Sequence, residues 1–492
     1  MPGCMVVTMT ALPDREVADQ LMRHITGARW FAGKGRRASL RSVDRLPWLT
    51  EVTEEPAVRF EIVEIAYPPD EDPDDSADES AAASVEYYQL PVSYRRAPIS
   101  ELHHAEIGRF TDRELGATVA YDATRDSQAC RLILRALLAA RQLRGPDTEV
   151  RFRLADRGAL STDLTPYVFT GQQSNTSVMF GELAMAKFFR RLELGRNLDI
   201  EVHNALNGAG IQDVARLFGW VEGSWFSGGQ MQQADLAMVV EKLADAVDGW
   251  GLALDSLRAG ESFAAEAGNL GHALAETHSA LRAAFPTARV LGPRIASTMK
   301  ARLAQAALIA PDLGPHVERL QACFDELGSG IVEVQRVHGD FHLGQTLHTP
   351  SGWKIIDFEG EPVKSLAERA APDSVWRDIA GMLRSFDYAA ASVPGQGSAA
   401  WAAECRAGFL EAYAGGQLNP ADAATLRAYE LDKAIYEVVY ETRNRPDWVG
   451  IPLAAITTLA GAPTLGGPAA DESSVGSDAS RATGSSGEVK EQ

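Results

Sequence analysis

Apolar and polar positions change their period along this chain, and the change divides it. In residues 58–65 and 84–90, β-branched and aromatic residues alternate with polar ones or run on, which predicts two strands of one sheet. Between them, residues 70–79 are almost entirely Asp, Glu, Pro and Ser, a solvated loop with nothing to anchor a core. Residues 129–143 place Leu132, Leu134, Leu137, Leu138 and Leu143 near helical spacing, and residues 149–154 alternate as a strand does. Two apolar runs at 177–180 and 183–189, split by Gly181 and Glu182, predict a hairpin, followed by a helix over about 199–206. From about residue 245 the period is helical, with helices expected at 271–285, 316–327, 374–391, 400–413 and 421–440. Residues 334–357 interrupt it with short apolar runs between polar turns. Sheet first and helices second is an α+β pattern with two lobes.

Composition narrows the partners. With 492 residues, 45% hydrophobic and 23% charged, the chain has the usage of a globular protein with more than one domain. Its formal charge of −20 repels phosphate backbones and anionic lipid, so nucleic-acid and membrane-surface partners are not expected. Cys4, Cys130, Cys323 and Cys405 are widely scattered without a C-x-x-C pair, which suits reduced thiols in the cytoplasm. The first dozen residues lack a basic leader, so no secretory signal is expected. Residues 448–470 carry no charge, but Gly450, Pro452, Gly461, Pro463, Gly466, Gly467 and Pro468 interrupt the run, which reads as a loop leading into a tail. Residues 463–492, rich in Gly, Ser, Ala and acids, are expected to be disordered.

The densest chemistry lies in Val337-His338-Gly339-Asp340-Phe341-His342-Leu343-Gly344-Gln345 and in Lys354-Ile355-Ile356-Asp357-Phe358-Glu359-Gly360. Asp340 and Asp357 stand 17 residues apart, the second ending a strand-like run. Two such carboxylates can hold Mg²⁺ and orient a hydroxyl, because that ion takes a few oxygen ligands and leaves room for phosphates. A zinc site made of His338, His342 and His348 lacks the carboxylate or thiolate that would complete it. Gly27 to Gly35 superficially follows a Walker A loop. However, five residues separate Gly27 from Gly33 where four are required, and Gly35 replaces Ser or Thr, so Arg29, Trp30 and Lys34 read as structural.

His338-Gly339-Asp340, Gln345 and Asp357-Phe358-Glu359 resemble the active-site motifs of kinases. The H-G-D-x-H and I-D-F-E variants resemble the aminoglycoside phosphotransferase-like branch of small-molecule kinases. More narrowly, the chain is similar to actinobacterial maltokinases over residues 25–455. The similarity is carried by Arg29-Trp-Phe-Ala-Gly-Lys34, Gln173-Ser-Asn-Thr-Ser-Val178, Lys187-Phe-Phe-Arg-Arg191, Arg369-Ala-Ala-Pro-Asp-Ser374 and the run from Tyr429 to Arg443. That resemblance implies a bilobal protein-kinase-like fold: an N-terminal cap over 1–105, an N-lobe over 106–245, a helical C-lobe over 246–462 and the tail.

It also implies roles. Asp340 would accept the proton of a sugar hydroxyl, with Gln345 and Asp357 holding Mg²⁺ against the phosphates of ATP. Lys187 would meet the α and β phosphates, paired with an acid on the next helix; Glu201 is expected in preference to Asp199, because the family pattern ends in that Ile-Glu pair. In place of a Gly-rich loop, Ser174, Asn175, Thr176 and Ser177 would cradle phosphate, and Val240 and Glu241 would supply the hinge beside adenine. His342, Glu359 and Arg443 are expected to touch sugar, together with Tyr436, Glu437 and Tyr440. Tyr429, Lys433, Tyr436 and Tyr440 share one helical face, which could equally pack on a neighbouring helix. The expected reaction makes maltose 1-phosphate from maltose and ATP for α-glucan synthesis, with an enzyme interconverting trehalose and maltose as a conceivable partner. A kinase for another sugar such as glucosamine, or a nucleotide-binding pseudokinase, are the alternatives.

Overall fold

Helix α1 (Arg15–Gly27) lies on a sheet built from β1 (Ser39–Arg45), β2 (Ala57–Tyr67), β3 (Ser84–Arg95), β4 (Glu106–Asp112) and β5 (Gly116–Asp122), in the antiparallel order β1-β2-β3-β5-β4. The computed structural model describes residues 15–68, 84–112, 114–169, 175–361, 364–395 and 397–461. The acidic loop at 70–79, Ser174 and the tail at 463–492 lie outside these. Strand β2 is buried on both faces, and its sequence shows why. Val63, Ile65 and Tyr67 join the core beneath α1 with Leu21 and Ile25, whereas Val58, Phe60 and Ile62 join a second core with Leu134 and Phe152.

That second core belongs to the next layer. Helix α2 (Ser127–Leu138), capped by the Asp126 carboxylate, packs on a seven-stranded sheet in the order β6-β7-β12-β13-β10-β9-β8. Its strands are β6 (Gln142–Arg144), β7 (Thr148–Leu154), β8 (Pro166–Val168), β9 (Thr176–Phe180), β10 (Ala184–Phe188), β12 (Leu217–Ser227) and β13 (Gln230–Glu241). Between β10 and β12 come β11 (Arg191–Leu192), which pairs with β3 of the first sheet, and α3 (Leu198–Gly208). The boundary expected at residue 105 therefore falls inside the first sheet, because β4 and β5 complete it.

The remaining chain is mostly helical: α4 (Gly249–Ala259), α5 (Ala264–Ala284), α6 (Gly292–Ile309), α7 (Val317–Asp325), α8 (Leu366–Ala370), α9 (Trp376–Ser392), α10 (Ser398–Ala414), α11 (Pro420–Asn444) and α12 (Gly450–Gly461). All of these except the short α8 share one large apolar core. Short strands β14 (Val247–Asp248), β15 (Ala288–Leu291), β16 (Ile331–Val334), β17 (Thr346–Thr349) and β18 (Gly352–Ile355) lie among them. Helix α12 corrects the loop expected after residue 448. Pro452 sits in the first turn, where its missing N–H costs no hydrogen bond, and Pro452, Ile456 and Ala460 bury one face at a spacing of four. Among the described residues no helix is long and apolar enough to cross a membrane.

Candidate active site

Lys187 projects from the middle of β10, where burial alternates residue by residue. Its ammonium lies 3.3 Å from Asp199 Oδ2, 3.4 Å from Asp357 Oδ1 and 2.7 Å from Glu359 Oε1. The expected partner, Glu201, is not among them. Asn197 caps α3 by accepting the Ile200 N–H, which puts Asp199 in the first turn facing inward. Two residues further on, the helix has turned by roughly 200°, and Glu201 pairs instead with Arg336 at 3.1 Å. Asp199 is held by more than Lys187: its Oδ1 accepts the Phe358 N–H at 3.2 Å and lies 3.0 Å from His203 Nδ1. Burial disfavours all of these charges, yet Lys187 and His203 hold the Asp199 carboxyl well below its ordinary range. Burial is likewise outweighed at Lys187, which Asp199, Glu359 and Asp357 push upward. Glu359 goes the other way: burial raises it, Lys187 opposes, and the Asp357 and Asp199 carboxylates add to the rise.

The second half of the site is the turn between β16 and β17. Asp378, fully buried on α9, accepts the N–H of His338 at 2.7 Å and of Gly339 at 2.8 Å, with His278 Nε2 at 2.9 Å. His338 Nε2 donates to the Ile356 carbonyl at 2.9 Å, which ties the turn to the strand end before Asp357. Gly339 has φ of +88°, and a Cβ there would meet the backbone of Gly360 at 3.3 Å, so two loops touch where a side chain would part them. Asp340 follows, with its Oδ1 receiving Lys433 Nζ of α11 at 3.2 Å. Lys433 also lies 3.7 Å from Glu361, which Arg377 holds at 2.7 Å. Hairpin β17–β18 then returns the chain, so that Gln345 Nε2 donates to Asp357 Oδ2 at 3.3 Å. Asp357 itself adopts φ of +67°, in the left-handed region that L-residues other than glycine seldom enter.

The other expected residues divide. Ser177 stands directly opposite Lys187 in the β9–β10 pair and so shares its face. Thr176, one residue earlier, points to the other face and accepts Arg190 Nε at 2.8 Å, toward Asp122 of the first sheet rather than the cleft. Asn175 is half-buried just before β9. Val240 pairs with Met185 and Leu217, and the Glu241 and Lys242 N–H groups donate to Arg216 and Leu183. Both expected hinge residues are thus still inside the sheet, and the crossing between lobes starts beyond them. Glu359, expected at sugar, is instead drawn to Lys187 because Asp357 reverses the chain. His342 keeps Nδ1 as acceptor for the Gly344 N–H and directs Nε2 toward Asp340 at 4.0 Å.

On α11 the exposed stripe is real. Tyr436 and Tyr440 are 40% and 44% exposed, with rings 6.5 Å apart at 24°, so no neighbouring helix covers them. Glu437 lies behind them, buried against Arg384 at 2.8 Å, which removes it from the open face. Tyr429 is also buried, donating to Asp373. Arg443 is exposed in the last turn. Sequence reasoning missed Asp199, Lys433, Glu361 and Arg377 as members of this cluster. Lys433 carried a signal, since it sits in phase with the tyrosines.

Comparison with known proteins sharpens this geometry. Residues 167–429, just over half of the chain, match the phosphotransferase enzyme family. The chain belongs to that family. Residues 24–126 of this phosphotransferase match the maltokinase N-terminal cap domain, which coincides with the first sheet and its flanks. A glucosamine kinase of Streptacidiphilus jiangxiensis is 30% identical over 321 residues, covering 58% of this chain and 72% of the relative. Another from Mycolicibacterium smegmatis is 29% identical over 318 residues, covering 59% and 78%. A solved glucosamine kinase in complex with glucosamine, ADP and inorganic phosphate shares the fold, with TM-score 0.62 at 20% identity, covering 91% of this chain and 100% of that one.

For a phosphotransferase, the donor chemistry around Asp357 fits a divalent cation. Oxygens of Asp199, Asp357 and Glu359 lie within 4.8 Å of one another, an all-oxygen set of the kind hard cations take. Asp357 is the member that also meets Gln345, whose amide oxygen a half-turn of the side chain would present. Lys187, within 3.4 Å of all three carboxylates, neutralises part of this acidity.

Proposed function

We propose that the protein is an ATP- and Mg²⁺-dependent sugar kinase that phosphorylates maltose at its anomeric hydroxyl. The observation that carries this reading is a pair of links at Asp340: its Lys433 partner lies 5.3 Å from the Tyr436 ring centre, and its neighbour Gly339 abuts Gly360, next to the Glu359 that joins Lys187 and Asp357. Maltose presents apolar ring faces suited to Tyr436 and Tyr440, and its length suits a platform of two rings. Asp340 takes the proton of the hydroxyl whose oxygen attacks the γ-phosphorus, and ADP leaves. Lys187 meets the α and β phosphates, and Ser177 lies on the same face. Gln345 and Asp357 would hold the Mg²⁺, which when bound neutralises charge on the phosphates. His342, 4.0 Å from Asp340, and Arg443, three residues beyond Tyr440 on α11, would bond sugar hydroxyls.

The maltokinase-type cap supports maltose. The names of the two relatives favour a second reading, glucosamine. Maltose, glucose, glucosamine and an aminoglycoside, scored by ADP release, separate the two: maltose is expected to give the highest kcat/KM, and turnover of glucosamine alone would overturn the first reading. Cys130, Cys323 and Cys405 are free and buried, as suits thiols in the cytoplasm.

A further inference from the structure

The acceptor end of the cleft carries two carboxylates, and each already has a resident cation. Asp340 Oδ1 receives Lys433 Nζ at 3.2 Å, and Glu361 Oε1 receives Arg377 Nη2 at 2.7 Å with Lys433 at 3.7 Å. Arg377 is pinned in turn by the Gly339 carbonyl at 3.1 Å. Glu437, the remaining acid that faces Lys433 from α11, is paired with Arg384. The formal charge of Asp340, Glu361, Lys433 and Arg377 together is zero. Lys433 is also fixed from its own helix, its Nζ 5.3 Å from the Tyr436 ring centre, on the platform side of Asp340.

A hydroxyl both donates and accepts, whereas an ammonium only donates. Beside Asp340 and Lys433, a sugar hydroxyl can donate to the carboxylate and accept from the ammonium at once. A substrate ammonium brought to the same place can donate to Asp340 but has no lone pair to accept from Lys433, and it meets a like charge a few ångströms away. We infer that Lys433 is a specificity-determining residue that selects neutral sugars over protonated amino sugars at the acceptor position. The inference rests on the sugar-kinase reading and deepens it, and it gives a physical reason why a chain similar to glucosamine kinases would turn to a neutral disaccharide.

The test uses the full chain, unmodified and as Lys433→Met and Lys433→Arg, with kcat/KM measured for maltose and for glucosamine. The ratio of glucosamine to maltose should rise by about tenfold or more in Lys433→Met and stay within about twofold in Lys433→Arg, since only the first removes the charge. An unchanged ratio in Lys433→Met would overturn the inference, whatever happens to absolute activity. Should that variant fail to fold, the unmodified protein decides. Inhibition of maltose phosphorylation by glucosamine should strengthen as pH rises and its amine loses the proton, relative to inhibition by glucose; parallel curves would overturn the inference. If the unmodified protein released no ADP with any sugar, the sugar-kinase reading itself would fall and take this one with it.

Discussion

Asp378 Oδ1 accepts the Gly339 N–H at 2.8 Å, so a fully buried carboxylate on α9 sets the backbone one residue before Asp340. Its other oxygen takes the His338 N–H, which makes the pair of bonds a clamp on the whole turn. Burial pushes the Asp378 carboxyl upward, and its hydrogen bond with His278, helped by His338 and the Gly339 N–H, outweighs that and lowers it. The clamp therefore works in the ionised form.

Removing it should cost both stability and turnover. Asp378→Ala leaves the His338 and Gly339 N–H groups and the buried His278 ring without their acceptor and is expected to lower unfolding stability by about 2–5 kcal/mol. Asp378→Asn, which keeps one acceptor, should lose less. Urea unfolding followed by circular dichroism measures both, and a stability equal to the parent would refute the clamp.

Asp340→Asn keeps the shape and removes the base. The expected loss in kcat is on the order of 10²–10⁴, with nucleotide affinity by calorimetry little changed. Full turnover in this variant would show that the base lies elsewhere.

The choice between the two acids of α3 can be made by mutation. Asp199→Asn strips Lys187 of a partner at 3.3 Å and is expected to weaken ATP turnover by at least about tenfold. Glu201→Gln loosens only a partly exposed pair with Arg336 and should change kcat/KM by less than about threefold. The reverse order would restore Glu201 as the lysine's partner.

Glu361 predicts how the fold responds to acid. Burial raises its pKa, but Arg377, Lys433 and Lys364 outweigh it and bring the carboxyl down to about 2. Because the folded value lies below the ordinary one, its stabilisation is complete above about pH 5 and drains as pH falls toward 2. The full effect is on the order of 3 kcal/mol. Unfolding free energy in urea, measured from pH 5 down to pH 3, should fall less steeply for Glu361→Gln than for the parent. Identical slopes would contradict the assignment.

Tyr436→Ala and Tyr440→Ala should each raise KM for maltose by roughly threefold to tenfold and lower kcat little, as loss of a stacking surface does. Initial-rate kinetics give the split. A selective fall in kcat would place these rings at the reacting group instead.

Much of this architecture could be read from residue order. The pairing of β2 with β3 across the acidic loop and the helical second half followed from period, and the contacts of Asp357 with Lys187 and Gln345 accord with the kinase-like motifs. What escaped reading depended on rotation and on distant partners. Asp199 and Glu201 are two residues apart on one turn, and only the cap at Asn197 sets which faces Lys187. Lys433 reaches Asp340 from 93 residues away, so no local pattern could join them. Residues 450–461 looked like a loop because Gly and Pro weigh against a helix, yet packing of Ile456 and Ala460 overrides that preference.

Strand β2 donates Val58, Phe60 and Ile62 to the core that also holds Phe152 and Leu134, and β11 hydrogen-bonds back to β3. The cap is consequently no detachable ornament. A chain begun after residue 126 would lay bare a greasy wall of the catalytic half and invite aggregation, and heating the whole protein should melt both layers in a single step.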